Sequence, residues 1–416
     1  MNTYFNQIVE EAIQALYCSY DIACGQEAFK KLQKASNEGD VDAMYLLARC
    51  YGGCDFCWKD FGFPEDEDKM EKYMRMSILG GSAMGVVGSM RAGMLSAELE
   101  REMPFANIKE AWDIVYQKAR SGSGFCQNMI GNSYYWLDIV RIEGRTEEQF
   151  SNFRQWIDYL RSMMLESIPW YEEALHNKIG MAGRNLVNLY RDGEEALQIK
   201  PQPQEAVKIL KMGAELGLGE WMYHYGDHVS QIEGCEEEGV YWYKRAAEAG
   251  VKNAWYDMAY AYYWGEGVPK DLRKALEYAQ KGLESSLDAD CRGIMGAIYF
   301  EGGQGLPKDY VRAVQMLEQA RAKGSSLYND CLAVCYAMGY GVSKNLYQAK
   351  QLLEEIDDCS DYTRFVWGLL YTEGVGVKQD VKEGIAYWKS VEEECPLAEQ
   401  ALAQYKKTWY GKWVRR

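Results

Sequence analysis

The chain has 416 residues, with 46 Lys or Arg against 62 Asp or Glu, giving a formal charge of −16 at pH 7. That balance argues against nucleic acid as a partner, since phosphates would be repelled, and it allows a basic one. The hydrophobic fraction of 48% suffices for a continuous core, whereas 32 tyrosines and 13 tryptophans exceed what a helical core of Leu and Ala requires.

The chain opens without a basic segment leading into an apolar one, so no secretory signal is visible and a cytoplasmic location is expected. No stretch approaches the roughly 18 apolar residues of a membrane span. The 12 cysteines are accordingly expected to be reduced thiols. In chain order, residues 1–42 read as an N-terminal helical cap, with helices over 4–17 and 26–37 and a stop at Gly39. Helix pairs follow over 43–137. Ala43, Tyr45, Ala48 and Tyr51 open the first, whose second helix covers 67–79; Ala83 and Gly88 open the next, completed by 107–120; Gly131 and Tyr134 mark a third. Residues 138–181 form an irregular expanded unit, with a helical stretch over 150–166 and a fresh helix start at Pro169. Regular units resume over 182–391, and 392–416 supply a C-terminal cap and basic tail.

The regular units share a grammar. Tyr262, Tyr299, Tyr336 and Tyr371 stand 37, 37 and 35 residues apart. A period in this range means stacked supersecondary units, none of which buries its apolar face alone. In the clearest copy, Ala254, Met258, Ala259 and Tyr262 share one side of a first helix. Gly265 and Gly267 end it, Pro269 prevents its continuation, and Asp271 caps a second helix over 272–282.

The series Ala254, Tyr256, Met258, Ala259, Tyr262, Gly265, Gly267, Val268, Asp271, Lys274 and Ala275, with the preceding stretch 241–250, resembles the Sel-one-like repeat (SLR), a relative of the tetratricopeptide repeat. The resemblance is closest over 238–391, weaker over 42–218, and poor over 138–177 and at both ends. It implies an all-α fold, an α-solenoid in which antiparallel two-helix repeats form a superhelix. It also implies a non-enzymatic scaffold or adaptor, with a partner protein or peptide seated on the concave face. An alternative is a toxin-neutralising immunity-type protein whose acidic surface covers a basic toxin.

Three constellations bear on chemistry. Cys50, Cys54 and Cys57 have the spacing of a cluster-binding signature and define a metal- or iron–sulfur-dependent alternative, although the strands of the barrel that such enzymes need are absent. His224 and His228 share a helical face as zinc-protease ligands would, but Tyr225 replaces the glutamate that should follow the first. Cys331 and Cys335 also share a face and read as small packing residues. No cofactor and no metal are therefore expected. The aromatic surplus is the better lead. Asp257, Tyr260 and Trp264 are not explained by the repeat pattern, and they fall along one stripe of their helix. Equivalent offsets elsewhere give Arg49, Asn132, Glu301 and Glu373, and this set is the expected partner-binding surface.

Overall fold

In the computed structural model, which describes residues 4–18, 22–53, 61–356, 360–409 and 411–416, glycine and aspartate set the ends of the repeat helices. Helix Ala254–Trp264 stops at Gly265, whose φ of 82° is left-handed and whose N–H reaches the Ala261 carbonyl. Gly339 and Gly374 end their helices in the same conformation. Helix Leu272–Lys281 begins after Asp271, whose carboxylate accepts from the N–H groups of Arg273 and Lys274. Asp309, Asn345 and Asp380 cap the corresponding helices.

One further bond explains why the tyrosine and the cap keep their spacing. The backbone N–H of Asp271, Asp309, Asn345 and Asp380 donates to the carbonyl of Tyr262, Tyr299, Tyr336 and Tyr371 respectively, at 2.8–2.9 Å. Asp66 closes on Tyr51 in the same way at 3.0 Å. Each repeat thus ties the end of its first helix to the start of its second. The result is an α-solenoid of two-helix repeats.

The chain divides into two units, Met1–His228 with Glu248–Gly250, and Val229–Ala247 with Val251–Arg416. In the first, helix Val41–Tyr51 pairs with Glu67–Leu79, Ala83–Arg91 with Ile108–Arg120, and Gly180–Asp192 with Pro203–Glu215. Helix Gly124–Tyr135 pairs with Ser167–His176, although Asp138–Ile142 and Phe153–Leu165 stand between them in sequence. The start expected at Pro169 needs correction. Helix Ser167–His176 begins before it, and Pro169 sits in the first turn, where a missing N–H costs nothing. The pairs close on small residues: a Cβ at Gly131 would lie 2.6 Å from the Tyr171 ring.

In the second unit the pairs are Ala254–Trp264 with Leu272–Lys281, Asp288–Glu301 with Tyr310–Ala322, Asn329–Met338 with Leu346–Glu354, and Asp361–Glu373 with Val381–Lys389. Marker tyrosines stack on the second helix, Tyr262 on Tyr278 at 5.5 Å and Tyr371 on Tyr387 at 5.6 Å between ring centroids. The chain ends in an antiparallel hairpin of Tyr405–Lys407 and Trp413–Arg415. Its Tyr405 ring lies 5.7 Å from Trp388, and Lys389 lies over the Trp413 ring.

None of the nine described cysteines is in a disulfide. Burial pushes the thiols of Cys126, Cys291 and Cys335 up to about 12 and raises that of Cys331. At pH 8 these four are protonated and enclosed, while Cys24 is exposed. We expect iodoacetamide to modify Cys24 on the folded protein and the four buried cysteines only after denaturant is added. Mass mapping that found Cys331 or Cys335 alkylated natively would contradict their place in the core.

Candidate functional site

The residues singled out from sequence fall into two groups. In the second unit, Tyr256, Tyr260 and Trp264 stand one turn apart on helix Ala254–Trp264, and their rings form a ladder with 6.3 Å between successive centroids. Tyr256 and Tyr260 are half-buried, while Trp264 is 50% exposed. Trp264 is nevertheless held in place. Its ring meets the edge of Tyr263 at 4.9 Å and lies 6.3 Å from the Tyr260 ring between centroids. Much of the ring remains in solvent. Asp257, on the same helix, is half-buried with its Oδ2 enclosed; burial raises the Cys291 thiol, and Asp290, Asp288 and Asp257 add to it.

Glu301 and Glu373 do other work in the same unit. Glu301 accepts from the Tyr263 hydroxyl at 2.8 Å and lies 3.8 Å from Lys270 of the preceding repeat. Glu373 lies 4.0 Å from Lys344, the equivalent lysine one repeat back. Both carboxylates link neighbouring repeats; Glu301 meets the ladder only through Tyr263, and no contact joins Glu373 to it among the described residues.

In the first unit, Arg49 and Asn132 line one recess of ≈ 50 Å³. It is built by the first helices of successive repeats, Val41–Tyr51, Ala83–Arg91 and Gly124–Tyr135, each presenting residues one turn apart: Tyr45 and Arg49, Val87 and Arg91, Asn128 and Asn132. Asn132 is oriented by its neighbours, because its Oδ1 accepts from the Tyr171 hydroxyl at 2.8 Å and from Asn185 Nδ2 at 3.0 Å. Asp138 also lines the recess, and burial raises its carboxyl to about 6 against the opposing pull of Arg91 and Arg141. Sequence reasoning missed Arg91, Asn128 and Asp138. The available signal was polarity where a core helix should be apolar: Gln127, Asn128 and Ser133 in helix Gly124–Tyr135 are all buried.

The alternative chemistries gain no support. Cys50 is buried, and Cys54 and Cys57 lie outside the described residues. His224 is exposed and 3.9 Å from Glu220. Among the described residues, no group of three or more His, Cys, Asp or Glu side chains is placed to share a metal ion. Cys331 and Cys335 pack in the core. Among the described residues, no helix is long and apolar enough to cross a membrane.

Comparison with known proteins agrees with the repeat grammar. The Sel1 repeat family model matches residues 41–53, 181–218, 214–251, 254–286, 294–325, 326–355 and 365–390. The Sel1-repeat-containing protein YjcO of Escherichia coli is 31% identical over 152 residues, which are 35% of this chain and 63% of YjcO. The chain thus spans less than two thirds of that relative. HRD3B of Arabidopsis thaliana, an ERAD-associated E3 ubiquitin-protein ligase component, is 32% identical over 110 residues, 26% of this chain and 16% of its own. Among solved structures, the protective antigen c5321 of uropathogenic Escherichia coli, which has an SLR fold, aligns over 94% of this chain and 85% of its own, with 19% identity and a TM-score of 0.45. Repeats of this kind are generally protein-interaction modules, and no catalytic family is indicated. Seven matched segments, set in a solenoid whose helix ends follow the same pattern, make this chain a Sel1-like repeat protein.

Proposed function

We propose that the protein is a non-enzymatic scaffold or adaptor that seats a partner protein segment against the first-helix stripe of Tyr260 and Trp264. The observation that carries this reading is Trp264 itself. A tryptophan that is half in solvent, yet braced by Tyr263 and Tyr260, keeps a large apolar face at fixed geometry. Such a side chain loses little rotamer freedom on binding, which is what an anchor residue needs.

The test compares the full chain with a Tyr260→Ala, Trp264→Ala double variant. Protein captured from the native host would be quantified for both, beside thermal melting. Anchors of this type typically carry about 2 kcal/mol or more each, so captured partner should fall well over tenfold. Melting should fall only modestly, because Trp264 is not a core residue and Tyr260 is only half-buried. A drop in melting temperature of many degrees, or an unchanged captured set, would remove the stripe as the binding surface.

A further inference from the structure

Polar side chains in the buried helix Gly124–Tyr135 are nearly all answered by the protein. Gln127 donates to the Ala119 carbonyl at 3.3 Å and accepts from Asn177 at 2.9 Å. Ser133 donates to the Met129 carbonyl at 3.1 Å, and Asn132 accepts twice. Asn128 differs. It is 5% exposed and lines the recess, and among the described residues its Oδ1 receives no hydrogen bond. A buried amide oxygen without a donor costs about 1–3 kcal/mol, so a donor is expected there when the site is filled.

The rest of the recess supplies the opposite chemistry. Arg49 and Arg91 both line it, two guanidinium groups on a chain whose net charge is −16. Arg91 is braced with its guanidinium 4.0 Å from the centre of the Trp136 ring, and no carboxylate lies within ion-pair reach of it among the described residues. Arg141, its neighbour in the field of Asp138, is already paired with Glu100 at 2.8 Å. Because the Asn132 oxygen is doubly occupied, its amide N–H₂ is the group left for a ligand. Among the described residues Asp138 is the one lining carboxyl, set beside two arginines of which Arg91 has no ion-pair partner there.

We propose that this recess binds an acidic peptide segment, with a side-chain carboxylate held by Arg49 and Arg91 and an adjacent backbone N–H on Asn128 Oδ1. A carboxylate is small enough for a recess of ≈ 50 Å³. The planar guanidinium fork matches carboxylate geometry. A peptide also carries an N–H near its carboxylate, which a simple anion lacks. The partner class is therefore opposite in sign to the basic one that the overall charge allows.

The test uses the full chain and a fluorescein-labelled octapeptide of alternating Asp and Glu with an amidated C-terminus, beside the matching Asn and Gln peptide. Anisotropy titration should show binding of the acidic peptide only. Arg91→Gln should weaken it at least tenfold with unchanged melting, since Arg91 is exposed. Asn128→Leu, nearly isosteric and apolar, should also weaken binding while holding or raising the melting temperature. Tyr260→Ala with Trp264→Ala should leave this affinity unchanged, which separates this site from the stripe in the other unit. Equal binding of the neutral peptide would overturn the proposal. So would an unaltered affinity in Arg91→Gln, or an Asn128→Leu variant that changes stability but not affinity, the signature of an internal water at Asn128. Displacement of the peptide by inorganic phosphate at far lower concentration than by acetate would assign the recess to a phosphoryl group instead.

Discussion

Trp388→Ala is expected to destabilise the second unit by about 3–5 kcal/mol, the usual range for removing a buried large aromatic. Trp388 is 2% exposed, and its indole N–H donates to the Phe365 carbonyl at 3.0 Å. Its ring fills the space left by Gly368 on the first helix of the same repeat, so that even a methyl group at 368 would enter the ring. The two residues are one packing element. Gly368→Ala alone should cost about 1–3 kcal/mol through overpacking. The double variant Gly368→Ala, Trp388→Leu should then cost clearly less than the sum of Gly368→Ala and Trp388→Leu, because each change relieves part of the other. Urea denaturation followed by far-UV circular dichroism measures all four terms. Strict additivity would mean that the glycine and the indole do not share the same space.

This packing shows why the fold was so readable. The repeat pattern is a record of local geometry: Gly265 because a left-handed cap is needed, Asp271 because a helix start needs an acceptor, and Gly368 because a ring sits above it. Residues of that kind announce helices within a residue or two, as helix Glu67–Leu79 does. The pairing of Gly124–Tyr135 with Ser167–His176 across an inserted pair of helices was hidden, because nothing periodic in 138–166 says that the partner is deferred. Helix Ala97–Glu102 and the closing hairpin were equally silent, being too short to establish a period.

The site was legible only in part, for a physical reason. A stripe on one helix can be read from spacing, and the rings of Tyr260 and Trp264 are indeed neighbours, whereas the Asp257 carboxylate is turned inward. A recess formed by three helices depends on residues about 40 positions apart, and one sequence carries no information about which turns face each other. Arg49 and Asn132 were named by offset alone, yet the residues that give their recess its character, Arg91 and Asn128, occupy positions where the repeat pattern makes no demand. Glu301 and Glu373 share an offset with Trp264 but lie beside the lysine of the preceding repeat. Position in the repeat fixes direction; the neighbouring side chains decide use.

The second glycine of the repeat pair is where that neighbour dependence should show most clearly. Gly341 has φ +69°, and a Cβ there would overlap the Tyr310 carbonyl at the start of helix Tyr310–Ala322, one repeat earlier. Gly267 stands in the same relation to the Glu236 carbonyl. Gly341→Ala therefore carries two costs, about 1–2 kcal/mol for a left-handed alanine and about 1–3 kcal/mol for the overlap. Gly324 has φ +95°, and a Cβ there would meet no described atom within 4 Å, so it isolates the first cost. Gly341→Ala should thus lose about 3 kcal/mol or more, and Gly324→Ala about half of that. The difference has a kinetic and cooperative meaning as well, because in a repeat array stability is a sum of unit terms and nearest-neighbour terms. Gly341→Ala strikes the neighbour term between consecutive repeats, so its urea transition should broaden as the second unit begins to unfold in parts, while that of Gly324→Ala should shift without broadening. Equal losses and equally sharp transitions in the two variants would show that the left-handed conformation alone requires this glycine, and that close stacking on the preceding repeat does not.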